Sequence, residues 1–335
     1  MIYVAHGMQQ DIMQNLQQGA HPEEVVFGPL RQQGTAAEQA ANSASTLAPQ
    51  RTQNWSSKLT EAEIIVAGGS AITEELIQRC PKVRWFHSVS AGVDLIPHNL
   101  LSARGILLSN SRGIHGRPIG EQVLGMMIGF TRGLHVNLRH QQQKRWEPGY
   151  PLQELTGQTL CIVGSGSIGA EVARKAKAFD MRVIGVKRHP LPLPHHDEVV
   201  GLDSLYDALA TADFVLVLTP LTPNTRHLLD AEAFATMKSS AVVLNFARGD
   251  VMDEEALIQA LQAGKLRGAG LDVFHREPLP PESPLWDMEN VLISPHNGGW
   301  TPHYNERMVA IFLNNLRAYR EQRPLPTGVD LIQGY

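Results

Sequence analysis

Residues 159–169 read TLCIVGSGSIG, an apolar run that ends in Gly164-Ser165-Gly166-Ser167-Ile168-Gly169. Continuous apolar character of this kind marks a parallel strand covered on both faces. The pattern G-x-G-x-x-G at its end opens a helix, predicted here over 168–179. The first glycine permits a tight turn, the second lets backbone approach a pyrophosphate, and the third lets the helix pack on the strand. Backbone N–H groups at the helix N-terminus then face an anion. A ligand-free glycine turn carries the same letters, so the flanking segments decide between the two.

Downstream of that loop, 182–187, 213–218, 241–246, 268–273 and 291–295 are further apolar runs, separated by helical patterns at 203–210, 230–236 and 253–263. Upstream, 2–7, 63–69, 83–90 and 106–111 read as strands. ITEELIQRC (72–80) has apolar residues at helical spacing and stops before Pro81. Residues 117–142 read as one long helix with Pro118 in its first turn, and 303–321 as a final helix. Positions 28–58, rich in Gln, Ala, Ser and Thr, are expected to be loop with a helical piece. Strands alternating with helices predict an α/β fold with parallel sheets.

A chain of 335 residues exceeds one ordinary core and implies two domains. An apolar fraction of 43% and a charged fraction of 19% are ordinary for a globular protein. The net charge of −4, with basic residues scattered, gives no footprint for nucleic acid or an anionic membrane. The longest apolar stretch, 123–130, is too short for a bilayer, and no secretory signal is read at the N-terminus. Cys80 and Cys161 suit a reducing cytoplasm and lack metal-ligand spacing; no metal is expected.

Coenzyme choice rests on the end of the second strand. A NAD site places an acid roughly 20 residues beyond the loop to bind the ribose 2′-OH. Here Lys187 stands there, followed by Arg188 and His189. Two cations favour a 2′-phosphate, so NADP(H) is expected over NAD(H). A solvated basic turn in a protein that takes NADH is the alternative.

Arg248, Glu277 and His296 end later apolar runs, VVLNFA (242–247), AGLDVF (269–274) and VLISP (291–295). Polar groups at the carboxyl ends of such strands point into the crevice where these folds do chemistry. The three types match the reduction of a 2-keto acid: a planar guanidinium for paired oxygens, an imidazole to deliver a proton, and a carboxylate to favour the charged ring. Each has a plainer reading. Arg248 could pair with Asp250 or Asp253, Glu277 with His275 or Arg276, and His296 could be a turn histidine.

Together SAGVD (90–94), GSGSIG (164–169), PLTPNTRHLL (220–229), NFARGDVMDEEAL (245–257), AGLDVFHREPLP (269–280) and NVLISPHNGGWT (290–301) resemble the D-isomer-specific 2-hydroxyacid dehydrogenase family over nearly the whole chain. The resemblance implies two Rossmann-like or flavodoxin-like domains. A dinucleotide-binding domain, 110–297, would be inserted into a discontinuous substrate domain, 1–109 and 298–335, with a cleft that closes on substrate. It implies Arg248 as substrate-binding residue, His296 as acid/base and Glu277 as its partner, with backbone N–H groups of Ala91, Gly92 and Val93 on the substrate carboxylate. Coenzyme contacts are implied for the Gly164–Gly169 loop, Lys187, Arg188, Thr219, Pro220, Ala247, Asp272 (at the nicotinamide carboxamide) and Gly298. It further implies a homodimer paired through 117–142 and the Trp146 arm. Lys187, Asn297 and Gly120 depart from the family pattern. The expected function is reduction of a small 2-keto acid to the D-2-hydroxy acid. A dinucleotide-sensing, corepressor-like interaction protein on the same fold is the alternative.

Overall fold

The computed structural model describes residues 1–30 and 55–334; the expectation for 28–58 lies mainly outside them. The chain divides into two compact units, Met1–Ile114 with Pro302–Tyr335, and His115–Thr301.

In the first unit, strands β1 (Ile2–Ala5), β2 (Val25–Phe27), β3 (Ile64–Ala67), β4 (Trp85–Ser88) and β5 (Leu107–Asn110) form a parallel sheet in the order β2-β1-β3-β4-β5. This is the flavodoxin-like order. Successive side chains of a strand point to opposite faces. Tyr3, Ile65, Phe86 and Leu108 accordingly pack on one side with Leu76 and Ile77 of α2 (Glu74–Arg79) and Leu101 of α3 (His98–Ala103). Ile2, Val4, Ile64, Val66 and Trp85 pack on the other with Leu16 of α1 (Gln10–Ala20) and Met308, Phe312 and Leu316 of the C-terminal helix, Tyr304–Arg320. Thr73 caps α2 by accepting from Leu76 N at 3.3 Å.

The second unit begins with α4 (Gly116–Thr131) and α5 (Leu134–Gln142), where one continuous helix was expected. Gly133 parts them: its φ of +63° is left-handed, and a Cβ there would lie 2.5 Å from the Tyr150 ring. There follow β6 (Thr159–Val163), α6 (Ser167–Lys177), β7 (Arg182–Val186), β8 (Glu198–Val200), α7 (Leu205–Thr211), β9 (Phe214–Val217), α8 (Ala231–Thr236), β10 (Val242–Asn245), α9 (Glu254–Gln262), β11 (Gly268–Leu271) and β12 (Val291–Ile293). The seven strands are parallel, in the order β12-β11-β10-β9-β6-β7-β8. Chain order reverses between β6 and β9, so the topological switch point lies there. Leu160 and Ile162 face Val123, Met127 and Val172, while Cys161 and Val163 face Leu209 and Phe234. Cover on both faces explains why the sequence of β6 shows no polar alternation.

The two units meet at 114/115 and 301/302. Asn110 donates to Ala91 O at 2.7 Å and Ser111 to Ser88 O at 3.1 Å, which holds 110–111 on the first unit. Gly298 N donates to the Asp272 carboxylate at 3.1 Å, and Gly299 O lies 3.1 Å from His115 Nδ1, which holds 298–299 on the second. Among the described residues, no helix is long and apolar enough to cross a membrane, and no cluster of His, Cys, Asp or Glu could hold a metal ion.

Candidate active site

The glycine loop leaves β6 at the switch point. Gly164 has φ +95°, and a Cβ there would sit 2.6 Å from Thr219 N, so only glycine lets the loop turn against the exit of β9. Nothing lies within 4 Å of where a Gly166 Cβ would be, which leaves open space over the N-terminus of α6. Thr219 Oγ1 is buried with no hydrogen-bond partner among the described residues. A buried hydroxyl without a partner is costly and calls for a ligand or water. Open space at Gly166, a helix N-terminus and this hydroxyl fit a dinucleotide. Lys187 leaves the end of β7 half-buried, with its N–H bonded to Val200 O at 3.0 Å; Arg188 is exposed. Pro220, Ala247 and Gly298 lie beyond β9, β10 and β12 of the same sheet.

Three adjacent strands of this unit deliver the polar residues. Beyond β10, Arg248 is half-buried in extended conformation; its Nη1 donates to Ala247 O at 2.8 Å, and its carbonyl accepts from Asn245 Nδ2 at 3.1 Å. Gly249 follows because the exit of β11 presses against it. A Cβ there would fall 2.0 Å from the Phe274 carbonyl. Beyond β11, Glu277 turns back so that Oε1 accepts from Phe274 N at 3.1 Å. Beyond β12, His296 sits at φ +51°, with its N–H donating to Asp272 O at 2.9 Å.

The decisive distance is 2.7 Å, from His296 Nδ1 to Glu277 Oε2. Side-chain exposures of 47% and 35% keep the pair open to solvent on one side. Three of the plainer partners, Asp250, His275 and Asp253, are engaged elsewhere. Asp250 pairs with Arg226 and His275, and Asp253 caps α9 by accepting from Ala256 N at 3.0 Å.

Asp272, buried at 3% exposure, spends its carboxylate on the loop around His296. It accepts from Ser294 Oγ at 2.6 Å and from Asn297 N and Gly298 N at 3.1 Å each. It thereby fixes a histidine whose positive φ is otherwise unfavourable. Sequence reasoning missed His115. Its ring lies under Gly299, where a Cβ would come within 2.6 Å of Nδ1. Burial lowers its pKa, the Gly299 carbonyl raises it, and the positive charges of Arg248 and His296 lower it further. Nothing in GIHGRPIG marks His115, because its partners are far along the chain. Ala91, Gly92 and Val93 lie in the turn after β4, in the other unit. Burial pushes the Cys80 thiol up to about 11 and Cys161 to about 12, so neither is a ready thiolate.

Residues 124–298 match the model of the D-isomer specific 2-hydroxyacid dehydrogenase NAD-binding domain. The chain belongs to the D-isomer specific 2-hydroxyacid dehydrogenase family. It is 34% identical over 279 residues to glyoxylate/hydroxypyruvate reductase B of Escherichia fergusonii, covering 82% of this chain and 86% of that one. Among solved structures, a family protein from Aeromonas salmonicida superposes with a TM-score of 0.78 at 32% identity, over 98% of both chains. A D-isomer specific 2-hydroxyacid dehydrogenase from Xanthobacter autotrophicus, in complex with NADPH and MES, gives 0.80 at 28% identity, over 100% of this chain and 99% of that one. The protein is thus an NAD(P)-dependent 2-hydroxyacid dehydrogenase, a 2-keto acid reductase by class.

Proposed function

We propose that this enzyme reduces a small 2-keto acid of the glyoxylate or hydroxypyruvate kind to the D-2-hydroxy acid, with NADPH preferred. The observation that carries the reading is the 2.7 Å contact between His296 and Glu277 in the unit that holds the dinucleotide loop. When bound, the reduced nicotinamide supplies the hydride that goes to C2 of the keto acid. Glu277 holds Nδ1 of His296, which turns Nε2 toward the substrate to protonate the developing alkoxide. Arg248 grips the carboxylate and polarises the carbonyl with its planar fork. Ala91, Gly92 and Val93 supply backbone N–H groups to the same carboxylate, as the family resemblance implies.

On this reading the unit His115–Thr301 is the coenzyme domain and the remainder the substrate domain. Gly164–Gly169 cradles the pyrophosphate, with Thr219, Pro220, Ala247, Asp272 and Gly298 lining the coenzyme site. Lys187 and Arg188 take the ribose 2′-phosphate, and no acid stands there to bind a free 2′-OH. Support comes from the relatives, one named for glyoxylate and hydroxypyruvate reduction and one holding NADPH. The test is a panel of keto acids assayed with both coenzymes. Glyoxylate or hydroxypyruvate turnover with a higher kcat/KM for NADPH is expected; a clear NADH preference overturns the coenzyme choice, and no turnover of any keto acid overturns the substrate class.

A homodimer belongs to the same reading. Leu134 and Leu138 on α5 are 47% and 60% exposed, and Trp146 is 94% exposed. These three exposed apolar side chains on one segment are where the reading puts the partner. Leu138→Glu with Trp146→Glu should convert a dimer to monomers in sedimentation velocity.

A further inference from the structure

Behind the phosphate loop, Ser165 and His196 meet although they lie 31 residues apart in the chain. Ser165 is 2% exposed, and its Oγ lies 2.6 Å from His196 Nε2. His196 belongs to the segment running from Lys187 to β8. Its Nδ1 lies 2.9 Å from the Pro194 carbonyl oxygen, which can only accept. Nδ1 therefore donates to that carbonyl, and in the tautomer with its single proton on Nδ1 the Nε2 atom accepts the Ser165 hydroxyl. The ring reaches this place because residue 185 of β7 has no side chain. A Cβ there would sit 2.8 Å from His196 Cδ2 and 3.3 Å from Ser165 Cβ.

We propose that His196 is a positioning residue for the coenzyme. Through Ser165 it ties the pyrophosphate loop to the segment bearing Lys187 and Arg188, and so sets the discrimination between NADPH and NADH. The inference rests on the assignment of that loop and those cations to the coenzyme. A dinucleotide engages both at once, so the two must be held in register before it arrives. Without the tie, binding has to order the basic segment, and the contact to the 2′-phosphate weakens most. One hydrogen bond of this kind changes an affinity by up to about tenfold.

The experiment titrates wild type, His196→Ala, His196→Gln, Ser165→Ala and the Ser165→Ala/His196→Ala double variant with NADPH and NADH, following dihydronicotinamide fluorescence. In His196→Ala the Kd for NADPH should rise roughly tenfold and that for NADH less, with kcat at saturating coenzyme and the keto-acid KM within about twofold. The double variant should bind no more weakly than either single one, because both remove the same bond. Glutamine can still accept from Ser165 and should restore part of the affinity; this variant and Ser165→Ala decide the matter if the alanine at 196 does not fold. Unchanged affinities, equal losses for both coenzymes, or additive losses in the double variant overturn the proposal. Gly166→Val separates it from the site assignment, since nothing in the fold lies within 4 Å of a Cβ there and the added side chain would fill the cradle. Normal coenzyme binding by Gly166→Val sinks the loop assignment itself. Lost binding there, with unaltered His196 variants, sinks only the role of His196.

Discussion

Two histidines of this protein make opposite use of one side chain. His87 on β4 is fully buried; its Nδ1 lies 2.7 Å from Ser109 Oγ, its Nε2 lies 3.3 Å from Ser111 Oγ, and its ring stands 5.3 Å from Phe312. Burial pushes its pKa down to about 3, so it is a neutral strut of the first unit. His296 stands on a loop, half open to water, with the Glu277 carboxylate at 2.7 Å from its Nδ1. The difference teaches that the partner and the access to solvent, rather than the imidazole, decide whether a histidine carries chemistry.

The sharpest way to break the comparison is His296→Asn. Loss of a positioned general acid should lower kcat by about a hundred- to ten-thousandfold, with coenzyme titration unchanged; near-normal turnover would remove His296 from the reaction. Arg248→Lys keeps the charge but loses the fork, so keto-acid KM should rise and kcat fall, together by roughly ten- to a hundredfold in kcat/KM. An unchanged kcat/KM would show that the guanidinium does not touch substrate. Glu277→Gln keeps the shape and removes the charge, and kcat should drop by about tenfold.

His87 tests the other side of the comparison. Its folded pKa near 3 lies below the roughly 6.5 of an unfolded histidine, so the unfolded chain takes up the proton first. The stabilisation is complete above about pH 6.5 and is lost as pH falls toward 3, by ~1.4 kcal/mol per pH unit. Urea unfolding at pH 7, 6 and 5 should show a shallower decline in His87→Gln by about that slope. Equal slopes would mean that the ring is not held neutral.

Much of this was legible in the residues. The apolar runs at 159–163, 214–217 and 242–245 read as buried strands because both faces of their sheet are covered. Arg248, Glu277 and His296 stood out because each interrupts such a run. The edge strands β2 and β8 were not read; at three residues each and partly exposed, they carry little apolar signal and exist by pairing with β1 and β7. Helix α1 was missed as well, since its buried Leu16 and Ala20 stand among glutamines. The break at Gly133 depends on Tyr150, which local propensity does not see.

The sequence by itself determined the alternation of strands and helices and the glycine turn after β6, and it marked Arg248, Glu277 and His296 as candidates. These follow from backbone freedom, apolar periodicity and side-chain chemistry within short windows. Only the tertiary structure decided that Glu277 turns to His296 rather than His275, that Asp272 is spent on the loop around His296, and that His196 reaches Ser165. Each of those contacts joins residues from different segments of the chain. Such pairings exist once the sheet has brought the strand ends side by side, and no short window of residues encodes them.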